Sequence, residues 1–241
     1  MAKLTKRQKL IKEISEEYKG KLTATDAIAA IRKFIEEQNK VKASKNDQTV
    51  ELSIQLGIDT KANNQQVRAS VSLPQGTGKE VKVCALAKGE KVKEAQDAGA
   101  DFAGTEELIK KMEEGWMEFD VLVATPDCMP MLGKLGRVLG PRGLMPNPKD
   151  GTVNPDIAKA VKELKAGKVS FRAEKTGAVV HMPIGKTSFT NEALMENLAA
   201  AITEINKVKP SAAKGTYMKS TFISITQGPG IEIAPDTAVV A

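Results

Sequence analysis

Apolar and polar residues alternate in several stretches near the two ends of the chain. A period of two is typical of a β-strand with one face against the core and one face in water. The stretches that show it are 50–56, 67–73, 169–181 and 217–226. Apolar residues recur every three or four positions in 27–35 and 194–205, which predicts helices with one apolar face. The outer parts of the chain therefore predict an α+β domain built on a half-wet sheet.

Local patterns add detail to these outer parts. Residues 1–19 predict a basic helix, and Thr23 or Thr25 is placed to cap the next helix. Stretch 169–181 predicts a hairpin that turns at 175–177, and 231–233 predicts a closing strand after a Gly-Pro-Gly turn.

Strands in the middle of the chain are apolar throughout. Stretches 80–87 and 119–124 are rich in Val, Ala and Leu and show no alternation. Helices are predicted around them at 90–98, at 105–114 with Thr105 as its cap, after Pro130 as far as 139, and at 155–166 with Asp156 in the first turn. Apolar strands that alternate with helices are typical of a parallel sheet covered on both faces.

Two breaks in composition separate the middle from the outer parts. The first is the Gly-rich stretch 74–79, and the second is Gly167-Lys168. We therefore predict an α/β protein of two domains. A discontinuous α+β domain, 1–75 with 168–241, is interrupted by a Rossmann-like α/β insert with a parallel sheet, 76–167.

Charge is unevenly distributed along the chain, whose formal net charge is +6 and whose pI is about 9.1. Residues 88–120 hold five Lys against ten acids, a net of −5. The basic stretches are 1–12, 40–45, 134–149, 159–175 and 207–219. A moderately basic chain is compatible with RNA, DNA or an anionic membrane as partner, and several basic stretches beside Gly-rich turns favour a nucleic acid.

Catalytic and metal sites are poorly supported by the sequence. Gly76-Thr-Gly-Lys79 lacks the remaining positions of a phosphate-binding loop, and no Gly fingerprint follows the first strand of the insert. The single histidine, His181, has no neighbouring partner cluster. Cys84 and Cys128 indicate buried, reduced thiols. We expect no enzyme activity, no cofactor, no metal, no membrane span and a cytoplasmic location.

One stretch, LGPRGLMPNPKDGTV at 139–153, predicts an ordered basic loop, because Gly and Pro exclude regular structure while Leu and Met recur. It resembles the signature of the L-one family of large-subunit ribosomal proteins. Further similar segments are TVELSIQLGID at 49–59, LAKGEK at 86–91, FDVLVATPD at 119–127, FRAEKTG at 171–177 and SITQGPG at 224–230.

The resemblance implies a function. Members of this family bind a junction in large-subunit rRNA through the discontinuous domain and form a mobile stalk near the tRNA exit site. It further implies release of deacylated tRNA, repression of the chain's own operon mRNA and a monomer within the ribosome. Two chain crossings would act as a hinge.

Three turn regions of the outer domain combine hydroxyl residues, Gly and cations, which suits phosphates, sugars and base edges. Most of the residues come from the resemblance. We expect Gly228 to adopt backbone angles closed to a residue with a side chain and to leave room for RNA to approach closely. The predicted RNA-binding residues are Lys45, Asn46, Thr49, Arg172, Glu174, Lys175, Thr176, Gly177, Ser220, Thr226, Gln227 and Gly228. A secondary basic loop holds Arg137, Arg142 and Lys149.

Two of these residues depart from the family's pattern. Asn46 stands where the family commonly has Phe, and Gln227 stands where it commonly has Met, so neither residue supplies the apolar packing on RNA that the family pattern implies. Two rival functions are an α/β enzyme that uses the insert as a nucleotide or substrate domain, and a non-ribosomal scaffold. The missing glycine fingerprint and the absence of a catalytic cluster argue against the enzyme.

Overall fold

A computed structural model describes residues 4–41 and 47–237 of the chain. The chain divides into two compact units: unit 1 comprises Met1–Gly78 and Val169–Ala241, and unit 2 comprises Lys79–Lys168. One contains an antiparallel four-stranded sheet and the other a parallel three-stranded sheet. The predicted class, an α/β protein of two domains, is confirmed.

Helices and strands within the described residues follow in chain order. The helices are α1 (Lys6–Glu17), α2 (Ala24–Val41), α3 (Lys91–Asp97), α4 (Glu106–Glu113), α5 (Met129–Leu132), α6 (Gly136–Leu139), α7 (Ile157–Lys165) and α8 (Asn191–Lys207). The strands are β1 (Thr49–Leu56), β2 (Arg68–Ser72), β3 (Val83–Leu86), β4 (Phe102–Gly104), β5 (Val121–Ala124), β6 (Lys168–Arg172), β7 (Val179–Lys186), β8 (Met218–Ile225) and β9 (Gly230–Ile233).

Unit 1 is organised around the sheet β7-β1-β8-β9, in which all neighbours are antiparallel. Alternate residues of β1, such as Leu52 and Ile54, are fully buried and share one core with Phe34 of α2 and Leu198 of α8. The alternation of apolar and polar residues in the sequence therefore corresponds to a sheet that is covered by helices on one face only. Thr23 caps α2, because its Oγ1 accepts the N–H of Asp26 at 3.2 Å.

The hairpin predicted in 169–181 forms only at its turn, and the predicted pairing of its two strands is wrong. β6 pairs with β2 in a separate two-stranded sheet, and β7 pairs with β1. Within the described residues a single bridge, Ala173 with Val180, and the bond from Glu174 N–H to the Val179 carbonyl at 2.9 Å join the two arms. The turn at 175–177 is present as expected, but the two strands beside it pair with strands that are distant in sequence and not with each other.

Unit 2 contains the parallel sheet β4-β3-β5, buried on both faces. Val83 and Ala85 pack with α3 and α7, whereas Cys84 and Leu86 pack with α4 and the turns of 129–139. Two-sided burial explains the uninterrupted apolar run. Trp116 packs edge-on against Phe102, with ring centroids 4.8 Å apart.

The helix predicted after Pro130 as far as 139 is present as consecutive short segments, namely α5, a 3-10 turn at Gly133–Leu135 and α6, and both Gly133 and Gly136 have helical backbone angles. Two other local predictions in unit 2 need correction. Thr105 does not cap α4, because its hydroxyl donates to the Ala87 carbonyl at 2.5 Å. Asp156 precedes α7 and caps it, accepting the N–H of Lys159 at 3.0 Å.

Candidate nucleic-acid interface

The four-stranded sheet of unit 1 turns one face away from the core, and that face is polar. The register sets Ser53 opposite both His181 on β7 and Phe222 on β8. Ser53 Oγ lies 2.9 Å from His181 Nδ1, and Ser220 Oγ donates to Gln55 Oε1 at 3.3 Å. We call this surface the polar sheet face; its polar residues are Glu51, Ser53, Gln55, His181, Ser220, Ser224 and Glu232, and its apolar residues are Val179, Pro183 and Phe222.

The chemistry of the polar sheet face suits the sugar and base edges of RNA. Hydroxyl and amide groups can pair with ribose hydroxyls and base edges, and the ring of Phe222 is 37% exposed. Glu51 and Glu232 place two acids on the same face, so its centre is unfavourable for phosphates. The Lys and Arg side chains that could bind phosphates lie instead at the two ends of the sheet.

One end of the polar sheet face, where β1 begins and β8 ends, gathers two predicted residues. The N–H of Thr226 donates to the Thr49 carbonyl at 3.1 Å, and Thr226 Oγ1 accepts the Thr49 N–H at 3.3 Å. Lys186 Nζ donates to Thr49 Oγ1 at 3.1 Å. Two hydroxyls and one ammonium group are thus held in one cluster by the ends of three strands.

The turn that follows β8, residues 226–228, overturns the expected role of Gly228. Gln227 is the residue with left-handed backbone angles, at φ 62°, whereas Gly228 is not among the positive-φ positions. A Cβ on Gly228 would lie 2.4 Å from Ile225 Cγ1, so close packing and not backbone freedom requires glycine there. The Gly228 N–H closes the turn on the Ile225 carbonyl at 2.8 Å.

The opposite end of the sheet holds the cationic residues predicted from 172–177. Leu56 at the end of β1 donates its N–H to the Ala178 carbonyl at 2.9 Å, which places this loop beside the last residue of β1. Thr60 Oγ1 donates to the Lys175 carbonyl at 2.6 Å and fastens the loop from the other side. A cavity of about 410 Å³ lies here, lined by Thr60, Gln66, Val67, Arg68, Arg172, Ala173, Glu174 and Lys175.

The predicted residues therefore fall into two clusters and not one. Thr49 and Leu56 are the first and last residues of β1. Seven steps along a strand separate the two ends by about 23 Å. The polar sheet face lies between them, and Ser220, which lies opposite Gln55, belongs to the half nearer the cationic loop.

Sequence reasoning missed three residues of these clusters. Arg7 bonds to the 226–228 turn, Lys186 bonds to Thr49, and Arg68 lines the cavity. Arg7 belongs to a basic stretch noticed in the sequence, but nothing local connects it to a turn 220 residues later. Lys45 and Asn46, which were predicted to bind RNA, lie outside the described residues.

The secondary basic loop belongs to unit 2 and is ordered by short-range bonds. Thr152 Oγ1 accepts the Asn147 N–H at 2.8 Å and donates to the Asn147 carbonyl at 3.1 Å. Arg137, Arg142 and Lys149 are exposed along it, and Asp150 is buried at 7% exposure. Asn147 Oδ1 also accepts the N–H of Lys149 at 2.9 Å. The loop thus presents cations on an ordered backbone.

The residues considered for other chemistry have structural roles. Lys79 and the backbone N–H of Lys82 bond to the Asp120 carboxylate and hold its pKa below the ordinary value. Burial raises the pKa of the Cys84 thiol to about 12, which suppresses thiolate formation. Within 4–41 and 47–237 no group of three or more His, Cys, Asp or Glu could hold a metal ion. The helices of these same ranges are too short or too polar to cross a membrane.

A two-unit α/β fold that presents polar side chains on an open sheet, with cations at its ends, is typical of a binding protein. Residues 31–229 match the family of ribosomal protein L1p/L10e, and the chain belongs to that family. Membership makes it a large-subunit ribosomal protein that binds rRNA. The family is one of structural ribosomal proteins and not of enzymes.

Proposed function

We propose that unit 1 binds the rRNA through the polar sheet face and the clusters at its two ends. The observation that carries this proposal is the cluster of Thr49, Thr226 and Lys186, which concentrates two hydroxyls and a cation at one strand end. Arg172 and Lys175 supply phosphate contacts at the other end, and the acid-bearing centre meets sugars and bases. Thr176 and Gly177 are exposed in the same turn, and Gly177, which has φ 87° and no Cβ, leaves room for a close approach of the backbone to RNA.

The same surface is compatible with the more specific functions that the family resemblance implies. An RNA-binding face that reads hydroxyls and shape accepts any RNA with the same fold, so a similar structure in the chain's own operon mRNA would compete with rRNA. We propose repression of that mRNA, and placement at the mobile stalk with release of deacylated tRNA from the exit site. The secondary basic loop of unit 2 is our candidate for the tRNA contact.

The test is a salt titration of binding to an rRNA fragment that contains the junction. For several phosphate contacts, log K falls linearly with log salt, by about 0.7 to 0.9 for each neutralised phosphate. Arg172→Gln and Lys175→Gln each reduce the slope by about one contact. Lys110→Gln removes the same charge from exposed α4 in unit 2 and leaves the slope unchanged.

Two results contradict the proposal. A flat titration for the parent shows that phosphates contribute little, and an equal effect of Lys110→Gln shows that only net charge matters. Competition between the rRNA fragment and the leader of the chain's own operon mRNA tests repression. The release of deacylated tRNA from ribosomes with and without the protein tests the exit-site function.

A further inference from the structure

Arg7 of helix α1 bonds to the turn that we propose faces RNA. Its Nη1 donates to Gln227 Oε1 at 2.5 Å, and its Nη2 donates to the Gln227 carbonyl at 2.9 Å and to the Thr226 carbonyl at 3.5 Å. Arg7 is half-buried, and its Nε is buried without a hydrogen-bond partner among the described residues. One guanidinium group therefore holds three oxygens on two consecutive residues of the turn.

The guanidinium decides which end of the Gln227 amide faces outward. A guanidinium has donors and no acceptor, so it can bond only to the amide oxygen. The Nε2 group of the same amide is then directed away from Arg7, on a side chain that is exposed. Gln227 consequently offers N–H donors at this point of the surface and not a carbonyl oxygen.

The backbone of Gln227 also depends on this contact. A φ of 62° is uncommon for a residue with a long side chain and is energetically unfavourable. Such a conformation persists where surrounding bonds enforce it. The Arg7 bond to the Gln227 carbonyl and the closure of the turn by the Gly228 N–H are two such bonds.

We propose that Arg7 is a positioning residue of the rRNA site: it holds Gln227 so that the amide N–H₂ donates to an acceptor on the RNA. The inference rests on the proposed function of the polar sheet face. It assigns a binding role to a helix outside the matched region 31–229. It also gives a reason for the polar residue at 227, because a methionine there could not accept the strong hydrogen bond of a guanidinium.

The test is a double-mutant cycle in binding to the junction-containing rRNA fragment. Arg7→Lys keeps the charge and loses the planar fork, and Gln227→Ala removes the amide. We expect each to weaken binding about 3- to 10-fold, the size of one neutral hydrogen bond. The double variant Arg7→Lys/Gln227→Ala is no weaker than Gln227→Ala alone, because Arg7 acts through Gln227. The salt slope of Arg7→Lys equals that of the parent.

Gln227→Glu provides a second and sharper comparison. A carboxylate pairs with Arg7 at least as well as the amide does, so the midpoint of unfolding does not fall. The group that faces RNA changes from a donor to an anionic acceptor, and binding weakens more than tenfold. A Gln227→Glu variant that binds like the parent overturns the proposal, because the amide nitrogen then does not contact RNA.

Two further results with the Arg7 variants would contradict the proposal. If the effects of Arg7→Lys and Gln227→Ala multiply, the two residues act independently and the proposal is wrong. If Arg7→Ala lowers the salt slope by about one contact while Arg7→Lys binds like the parent, Arg7 itself contacts a phosphate and the proposal is wrong. If the parent protein does not bind the fragment, the proposed function and this inference are both wrong. If the parent binds but the effects of Arg7→Lys and Gln227→Ala on affinity multiply, only this inference is wrong.

Discussion

The hydroxyl of Thr226 accepts a hydrogen bond from the backbone N–H of Thr49, 177 residues earlier in the chain, at 3.3 Å. The side chain that we place at the rRNA contact is therefore also part of the joint between the first residue of β1 and the residue that follows β8. A substitution there acts on folding and on binding, and the two effects have to be measured separately.

Thr226→Val keeps the β-branched shape and removes the hydroxyl. We expect the free energy of unfolding to fall by about 1 kcal/mol, since the Thr49 N–H loses its acceptor. Binding of the rRNA fragment weakens about tenfold, because the hydroxyl no longer pairs with RNA. Denaturant unfolding and equilibrium binding at one salt concentration check the two values, and Thr226→Ser, which retains the hydroxyl, stays close to the parent.

Thr203→Val is the matched control for this change. Thr203 lies on α8, a helix that packs on the buried face of the sheet. Thr152→Val is unsuitable as a control, because the Thr152 hydroxyl is buried and bonds to Asn147 twice. If Thr203→Val and Thr226→Val weaken binding equally, the Thr226 hydroxyl is not a specific contact.

Gly228→Ala tests the packing of the turn. The added methyl would lie 2.4 Å from Ile225 Cγ1, a buried side chain, so either the turn or the core has to shift. We expect a loss of stability of about 1 to 3 kcal/mol and weaker rRNA binding. Gly133→Ala places the new methyl in open space at a residue with helical backbone angles, so it should leave rRNA binding unchanged and should not lower stability. A stable, fully binding Gly228→Ala variant contradicts the tight turn.

Low pH should reduce the folding stability of unit 1 through the protonation of Asp47. The Asp47 carboxylate accepts hydrogen bonds from Thr187 Oγ1 and from the N–H and Oγ of Ser188. Burial alone would raise the pKa of this carboxyl, but the hydrogen bonds from Ser188 and Thr187 hold the pKa below its ordinary value. A depressed pKa stabilises the fold above the unfolded-state pKa of about 3.9, and that contribution is lost as pH falls below it.

Asp47→Asn is the variant that checks this dependence. It should have a lower unfolding midpoint than the parent at neutral pH, and the difference should shrink as the pH falls from about 4 towards 2. Thermal unfolding across that range measures it. If the difference in unfolding midpoint between Asp47→Asn and the parent does not change with pH, the charge of the carboxylate does not contribute to stability.

Unit 1 should fold and bind rRNA without unit 2. Among the described residues, its core consists of residues before Gly78 and from Val169 onward. Fully buried Asn197 anchors the first crossing within unit 1, since its Oδ1 accepts the Gln75 N–H at 3.0 Å and its Nδ2 donates to the Gly76 carbonyl at 2.9 Å. A variant that replaces residues 79–168 by a short Gly-Ser linker should unfold cooperatively and bind the rRNA fragment within about tenfold of the parent. An unfolded product would show that the two units form one cooperative core.

Sequence patterns predicted the fold class because each pattern reports a local property. Continuous apolar strands report burial on both faces, as for Val83 and Cys84, whose side chains enter different cores. Alternation reports burial on one face, as along β1. The failed hairpin at 169–181 shows the limit of this reasoning, because an alternating strand does not specify which distant strand it pairs with.

The candidate site was predicted in its residue types and not in its geometry. Hydroxyls, glycines and cations near turns indicated RNA, and the family resemblance selected particular positions among them. Nothing local indicated that Thr49 and Thr226 would lie together while Arg172 and Lys175 would lie at the other end of β1. Nor did the sequence distinguish Gly228, which is required by packing, from Gln227, which has the left-handed backbone.

The sequence by itself determined the class of this protein, its family and the chemistry available for binding a polyanion, because composition, periodicity and long motifs are properties of consecutive residues. Only the tertiary structure decided which of those groups share a surface. Contacts such as Arg7 with Gln227, or Lys186 with Thr49, join elements far apart in sequence and depend on strand order and register. Those features follow from packing the whole core, and no single segment encodes them.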